Sequence, residues 1–147
     1  MKNRFALVAA AAVLVGSSAA CSSAVAAKRT PGTLDPGTAR LTIDGSELPL
    51  IRTVECAPPE QHLTTVSLGD NDSGATLMVS NAGKLTVEFV RIRNLNGFSG
   101  DYNRGLADLH ATVEMTENTY QITGEARGYG PKSPEPTTVP FTMKLSC

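Results

Sequence analysis

The chain has 147 residues, of which 41% are hydrophobic and 18% charged, with 13 basic side chains against 14 acidic ones. A balance so even, with no long run of one sign, excludes the basic stripe that nucleic-acid binding requires. The length suits one domain with its own core. Beyond the first twenty residues every hydrophobic run is broken by Thr, Glu, Arg or Gly well before it could cross a bilayer.

Residues 1–20 read as an export signal. Lys2 and Arg4 precede an apolar run from Phe5 to Val15, and small residues follow. The run is too short for a spanning helix, which takes about 20 residues. Cys21 comes next, directly after Ser18, Ala19 and Ala20. A bacterial lipoprotein signal carries at this point the cysteine that takes a diacylglycerol, and cleavage then frees its amino group for a further acyl chain such as palmitate. Two or three chains anchor stably where a single chain is reversible. Ser18 stands where such signals usually have Leu. The alternative is ordinary cleavage after Ala24-Val25-Ala26, a small-x-small site that would release the protein. Without Lys2 and Arg4 the 13 basic residues become 11 against 14 acidic ones, a formal charge of −3.

Residues 21–39 are mostly Ser, Ala, Thr, Gly and Pro, with no aromatic side chain. Such a segment buries too little apolar area to offset its ordering entropy, so it reads as a flexible tether carrying the lipidated Cys21. About 18 such residues have a root-mean-square reach of roughly 20–25 Å. Thr30, Thr33 and Thr38 lie close to Pro and are candidate sugar acceptors.

Residues 40–147 read as β throughout. "RLTIDG" runs into a turn at Asp44-Gly45, "ELPLIRTVEC" leads to Cys56, and "QHLTTVSLG" follows the Ala57-Pro58-Pro59 break. "GATLMVS" and "KLTVEFVRIRN" come next. Asn96-Gly97 is the strongest hairpin signal, because both residues tolerate the positive φ of a tight turn. "FSGDY", "DLHATVEM", "TYQITGEARGY" and "TVPFTMKLSC" complete the series, with a short helix expected near Arg104 to Leu109. Turns about every ten residues between β-branched and aromatic runs predict an all-β fold, an antiparallel β-sandwich or open barrel. Leu85, Val87 and Phe89 are expected on one apolar face. The same holds for Leu109, Ala111, Val113 and Met115, and for Tyr120, Ile122 and Ala126.

Three cysteines in an exported chain leave one thiol over. Val139, Phe141, Met143, Leu145 and Cys147 recur at period two, as do Leu48, Leu50, Val54 and Cys56 with an interruption at Arg52. Both Cys56 and Cys147 are therefore expected on the apolar side of strands, as candidates for one disulfide.

No catalytic constellation is present in the sequence. A nucleophile needs a base and an oxyanion site, and the only histidines, His62 and His110, fall in strand-like runs that predict structural roles. "GFSGD" around Ser99 lacks the spacing of a nucleophile elbow. "DNDSG", Asp70 to Gly74, resembles the start of a calcium loop, but Ala75 stands where that loop needs Gly and Asn81 where it needs Glu, so a polar hairpin turn is expected. No zinc site can be assembled, and no metal or cofactor is implied. Arg91 and Arg93 alternate on one strand face, which reads as a solvated face rather than an anion patch.

"LTIDG", "VEC" around Cys56, "NLNGFSGDY", "TYQITGEARG" and "PFTMKLSC" occur in this order over nearly the whole β region, and with them the chain resembles the mycobacterial 19-kilodalton lipoprotein antigen family. The resemblance implies an acylated cell-envelope protein attached through Cys21, with paired cysteines at Cys56 and Cys147. It further implies a surface antigen that engages innate immune receptors through its lipid, with an adhesin-type role. The expected function is thus a non-enzymatic, lipid-anchored protein on the extracytoplasmic face of the cell membrane, its partners being the membrane itself and a host receptor or envelope lipid. The alternative is a carrier of lipid or glycolipid in an apolar cavity, which expects Met78, Phe89, Met115 and Met143 to be incompletely packed.

Overall fold

β-Branched runs punctuated by tight turns build ten antiparallel strands, with no helix, among residues 28–147, the part of the chain that the computed structural model describes. In chain order they are β1 (Ala39–Ile43), β2 (Ser46–Glu47), β3 (Val54–Cys56), β4 (Leu63–Gly69), β5 (Gly74–Ser80), β6 (Thr86–Leu95), β7 (Phe98–Asn103), β8 (Ala111–Thr116), β9 (Thr119–Tyr129) and β10 (Thr137–Ser146). They form one sheet in the order β2-β1-β10-β9-β7-β6-β5-β4-β3, with β8 paired to β9 off this path.

The two end strands of this sheet, β2 and β3, are neighbours in sequence, joined only by residues 48–53. A linker so short forces the sheet to curl back on itself. Its backbone is stitched to both flanks. Leu48 N–H donates to Leu41 C=O, Ile51 and Ala39 exchange two hydrogen bonds of 2.8 and 3.0 Å, and Gly69 N–H donates to Thr53 C=O. The result is an open barrel with a single curled sheet, and not a sandwich. "ELPLIRTVEC", expected as one strand, is split at Pro49, which has no N–H to give to a ladder.

Curvature is concentrated in β6. Met78 pairs with Phe89 but Val79 pairs with Val87, so Glu88 is an extra residue; a second irregularity falls between Ile92 and Leu95. A bulge adds one residue and flips which face the following side chains take. The buried positions accordingly run Val87, Val90, Ile92, Leu95. Phe89, expected inside with Leu85 and Val87, is pushed outward and lies half-buried under the Arg91 guanidinium, 5.2 Å from its ring centroid.

The barrel interior is filled by side chains, with Leu41, Ile43, Leu77, Ile92, Ile122, Phe141, Met143 and Leu145 fully buried. Tyr120, Ile122 and Ala126 face inward as expected, as do Val139 to Leu145 at alternate positions. On β8 the expected apolar face is only half-buried, and Met115 is exposed, because this strand flanks β9 alone. No helix forms at Arg104 to Leu109. Gly105 and Ala107 both take positive φ there, which ends any helical turn.

Candidate functional site

The register separates two poles of the barrel. At one, Ser146 of β10 lies opposite Thr119 of β9, and the β8–β9 turn at Glu117-Asn118 and the β3–β4 turn project. At the other lie the turns Asp44-Gly45, Asp70 to Ser73, Asn96-Gly97 and the loop from Gly130 to Pro136.

The chain enters at the first pole. Residues 30–38, in the stretch read as tether, are hydrogen-bonded to it: Gly37 N–H donates to Ser146 C=O, Ser146 N–H to Thr38 C=O, and Leu34 N–H to Thr119 Oγ1 at 3.1 Å. Thr30 Oγ1 donates to the Glu117 carboxylate. Thr38 is buried, and its hydroxyl is satisfied by Asp35 C=O at 2.6 Å. Any tether is thereby confined to residues ahead of Thr30. Cys21 lies outside the described residues.

The Cys56–Cys147 disulfide belongs to the same pole, with a Cα separation of 5.8 Å. It ties β3, at one end of the sheet, to the end of β10, and Cys147 N–H donates to Asn118 C=O. The two cysteines were both expected to point inward. Cys56 is half-buried against the core but Cys147 is exposed, because it follows the last strand residue and leaves the period-two face. Leu50 departs from its expected face in the same way and is exposed.

His62 and His110 lie in neither of the strands expected for them. Gln61 and His62 take φ of 47° and 71° and form the two-residue β3–β4 turn, closed by reciprocal bonds between Glu60 and Leu63. His110 is exposed just ahead of β8, and its carbonyl accepts from Glu125 N–H. In "DNDSG" the Asp70 carboxylate accepts from Asp72 N–H at 2.9 Å and Ser73 N–H at 2.7 Å. These two hydrogen bonds, Ser73 first, hold its pKa below the ordinary 3.8, with a smaller contribution from Arg93. Among the described residues no three His, Cys, Asp or Glu side chains converge on a point, and no helix is long and apolar enough to cross a membrane.

Surface depressions on the strand faces of the barrel include the following two. Between β6 and β8, whose facing edges are not paired to each other, a cleft of about 500 Å³ is lined by Leu85, Val87, Ala111 and Val113, with Lys84, Arg104 and Glu114 at its rim. A second, of about 330 Å³, lies on the outer face over β6, β7 and β9 and gathers Arg91, Arg93, Asp101, Arg127 and Tyr129. Arg127 and Tyr129 had no distinguishing signal in the sequence; only the register places them beside Arg91.

The described residues form a small β domain closed by one disulfide, which the chain enters beside Ser146 and Cys147. Residues 32–147 match the model of the Mycobacterium 19 kDa lipoprotein antigen family, and the chain belongs to that family. A protein assigned as a lipoprotein in Mycobacterium indicus pranii is 35% identical over 150 residues, spanning 100% of both chains. Another so assigned in Mycobacterium avium subsp. hominissuis is 33% identical over 149 residues, covering 100% of this chain and 97% of the relative. Lipoprotein LpqH of Mycobacterium avium is 28% identical over 109 residues, 74% of this chain and 67% of its own length.

Proposed function

We propose that the protein is a non-enzymatic, lipid-anchored antigen of the cell envelope, cleaved ahead of Cys21, carrying diacylglycerol and palmitate there, and standing on the extracytoplasmic face of the membrane. The observation that carries this reading is the position of Cys21, which directly follows an export-type run in a chain whose β domain belongs to a lipoprotein family. The fold supports it. Eight residues, 22–29, lie between Cys21 and Thr30, a contour of at most roughly 30 Å, so the pole at which the chain enters faces the bilayer and the opposite turns face away. In this arrangement the acyl chains engage innate immune receptors and the outward surface serves adhesin-type contacts.

Intact mass of the protein from its native membrane fraction, beside a Cys21→Ala variant, tests the anchor. Acyl mass on a chain that starts at Cys21, absent from the variant, is the expected result. A chain starting near Ala27 with no added mass overturns it and makes the protein secreted.

A second reading, binding of an envelope lipid, rests on the cleft between β6 and β8, with its apolar floor and a rim bearing Lys84 and Arg104. Because side chains fill the barrel interior, such a lipid lies in this surface cleft and not inside. Co-purified lipid detected by native mass spectrometry, lost on Val113→Glu, is its expected signature.

A further inference from the structure

We propose that the outer face over β6, β7 and β9 is a binding site for a phosphate ester, gripped by Arg91, Arg93 and Arg127. Arg91 pairs with Asp101 across β6 and β7, and Asp101 pairs with Arg127 across β7 and β9, so the three form one row over three strands. Two strand spacings put the two arginine backbones roughly 10 Å apart, a span that two guanidinium side chains close from either side. Arg93 stands two residues beyond Arg91 and lines the same cleft.

Two of these guanidiniums are held in place by the protein and still have donors to spare. Arg91 donates through Nε to Asp101 Oδ1 at 2.9 Å, and among the described residues its Nη1 and Nη2 have no acceptor. Arg93 uses Nη1 on Thr76 Oγ1 at 3.0 Å and Nη2 on the Asp70 carbonyl at 3.3 Å, leaving Nε. Arg127 makes no side-chain hydrogen bond or ion pair with any described residue, although Asp101 lies directly across from it. Asp101 is thus spent on orienting Arg91, Arg93 is also near the Asp70 carboxylate, and Arg127 adds a positive charge with no ion-pair partner among the described residues. Pre-fixed guanidinium forks lose little side-chain freedom when they take an anion.

The ligand class follows from this donor set. Guanidinium forks bind phosphate oxygens in bidentate fashion, and donors arriving from three directions suit a tetrahedral, multiply charged group better than a planar carboxylate. Tyr129, 57% exposed at the cleft wall beside Arg127, offers a ring face to whatever the phosphate is esterified to. The site lies toward the pole away from the chain entry: Arg127 is eight residues along β9 from Thr119, about 26 Å at strand rise. A phosphorylated glycan beyond the membrane, or a phospholipid headgroup met when the domain lies on a bilayer, presents the same chemistry. This inference stands apart from acylation at Cys21.

The test uses the full chain in a neutral detergent. Inositol 1-phosphate is titrated while the Arg Nε–Hε resonances are followed by NMR, and phosphatidylcholine vesicles with and without phosphatidylinositol are compared by co-sedimentation. Saturable shifts at Arg91 and Arg127 are expected. Arg127→Gln should weaken binding about tenfold or more with an unchanged melting temperature, and Arg127→Lys by less. Arg40→Gln, which removes a charge from β1 away from the cleft, should leave binding as it was. Saturation by inositol 1-phosphate places the site's partner among soluble phosphate esters; capture by phosphatidylinositol vesicles alone assigns it to a membrane headgroup. Equal loss with Arg40→Gln, or no saturable response to either probe, overturns the proposal.

Discussion

Removing the Cys56–Cys147 bridge should destabilise the domain on the scale of a large truncation in the core. The bridge spans 91 residues, and the chain-entropy relation for a loop of that size gives about 4.6 kcal/mol at 25 °C, by which the denatured ensemble is stabilised when the cross-link is absent. Unfolding entropy near 60 °C is about 2.1 cal/mol/K per residue, so over the described part of the chain this corresponds to a fall in Tm of about 18 °C. Native-state strain lowers such figures and never raises them far, so the value is a ceiling. The assay is urea and thermal unfolding of Cys56→Ala/Cys147→Ala beside the wild type, each with and without reductant. Alanine is chosen because Cys56 is half-buried against the core, where a serine hydroxyl would add a penalty of its own. The wild type under reductant should match the variant, and the variant should ignore reductant. A loss below about 1 kcal/mol, with oxidised and reduced wild type melting together, would refute the reasoning. It would mean that the reduced, unfolded chain is already as compact as the cross-linked one.

Three further outcomes follow from the fold. Val90→Thr should cost about 2 kcal/mol, since it buries a hydroxyl without a partner, while Phe89→Thr should cost about 1 kcal/mol or less; the reverse order in urea melts would refute the bulge at Glu88. Gly124→Val should destabilise by about 1–3 kcal/mol through overpacking, because even a Cβ there meets Ala111 Cβ at 2.7 Å and Phe141 Cζ at 2.9 Å; an unchanged melting curve would mean that β8 is not seated against β9. Asp70, whose pKa is lowered by the Ser73 and Asp72 N–H groups, should titrate below 3.8 in carboxyl-detected NMR. With the folded value depressed, its contribution is present above the unfolded pKa and is lost as pH falls through the lower folded value. The amide protection of Ser73 should therefore fade only in that acid range, and a midpoint at or above 3.8 would contradict the turn geometry.

Strand existence was legible from residues alone wherever the period of two was unbroken, as from Val139 to Leu145, or where a turn carried its own chemistry, as at Asn96-Gly97. Gln61-His62 shows the limit of that approach. It forms an equally tight turn without glycine or asparagine, because the reciprocal Glu60–Leu63 bonds and the pairing of β3 with β4 impose the left-handed backbone. The short helix expected at Arg104 to Leu109 failed for a related reason: Gly105 and Ala107 are bent to carry the chain from β7 around to β8 on the same edge of β9.

By itself the sequence determined the all-β class, the pairing partners Cys56 and Cys147, and the family, because each depends on local periodicity or on residues that keep their order along the chain. Tertiary structure alone decided that the sheet closes through residues 48–53, that Val90 rather than Phe89 enters the core, and that Arg127 joins Arg91 and Arg93 over one cleft. Period two says which residues share a strand face only until a bulge resets it. Where a bulge falls, and which distant strand arrives alongside, is set by cross-strand register and barrel curvature, which are properties of the pairing and not of either strand.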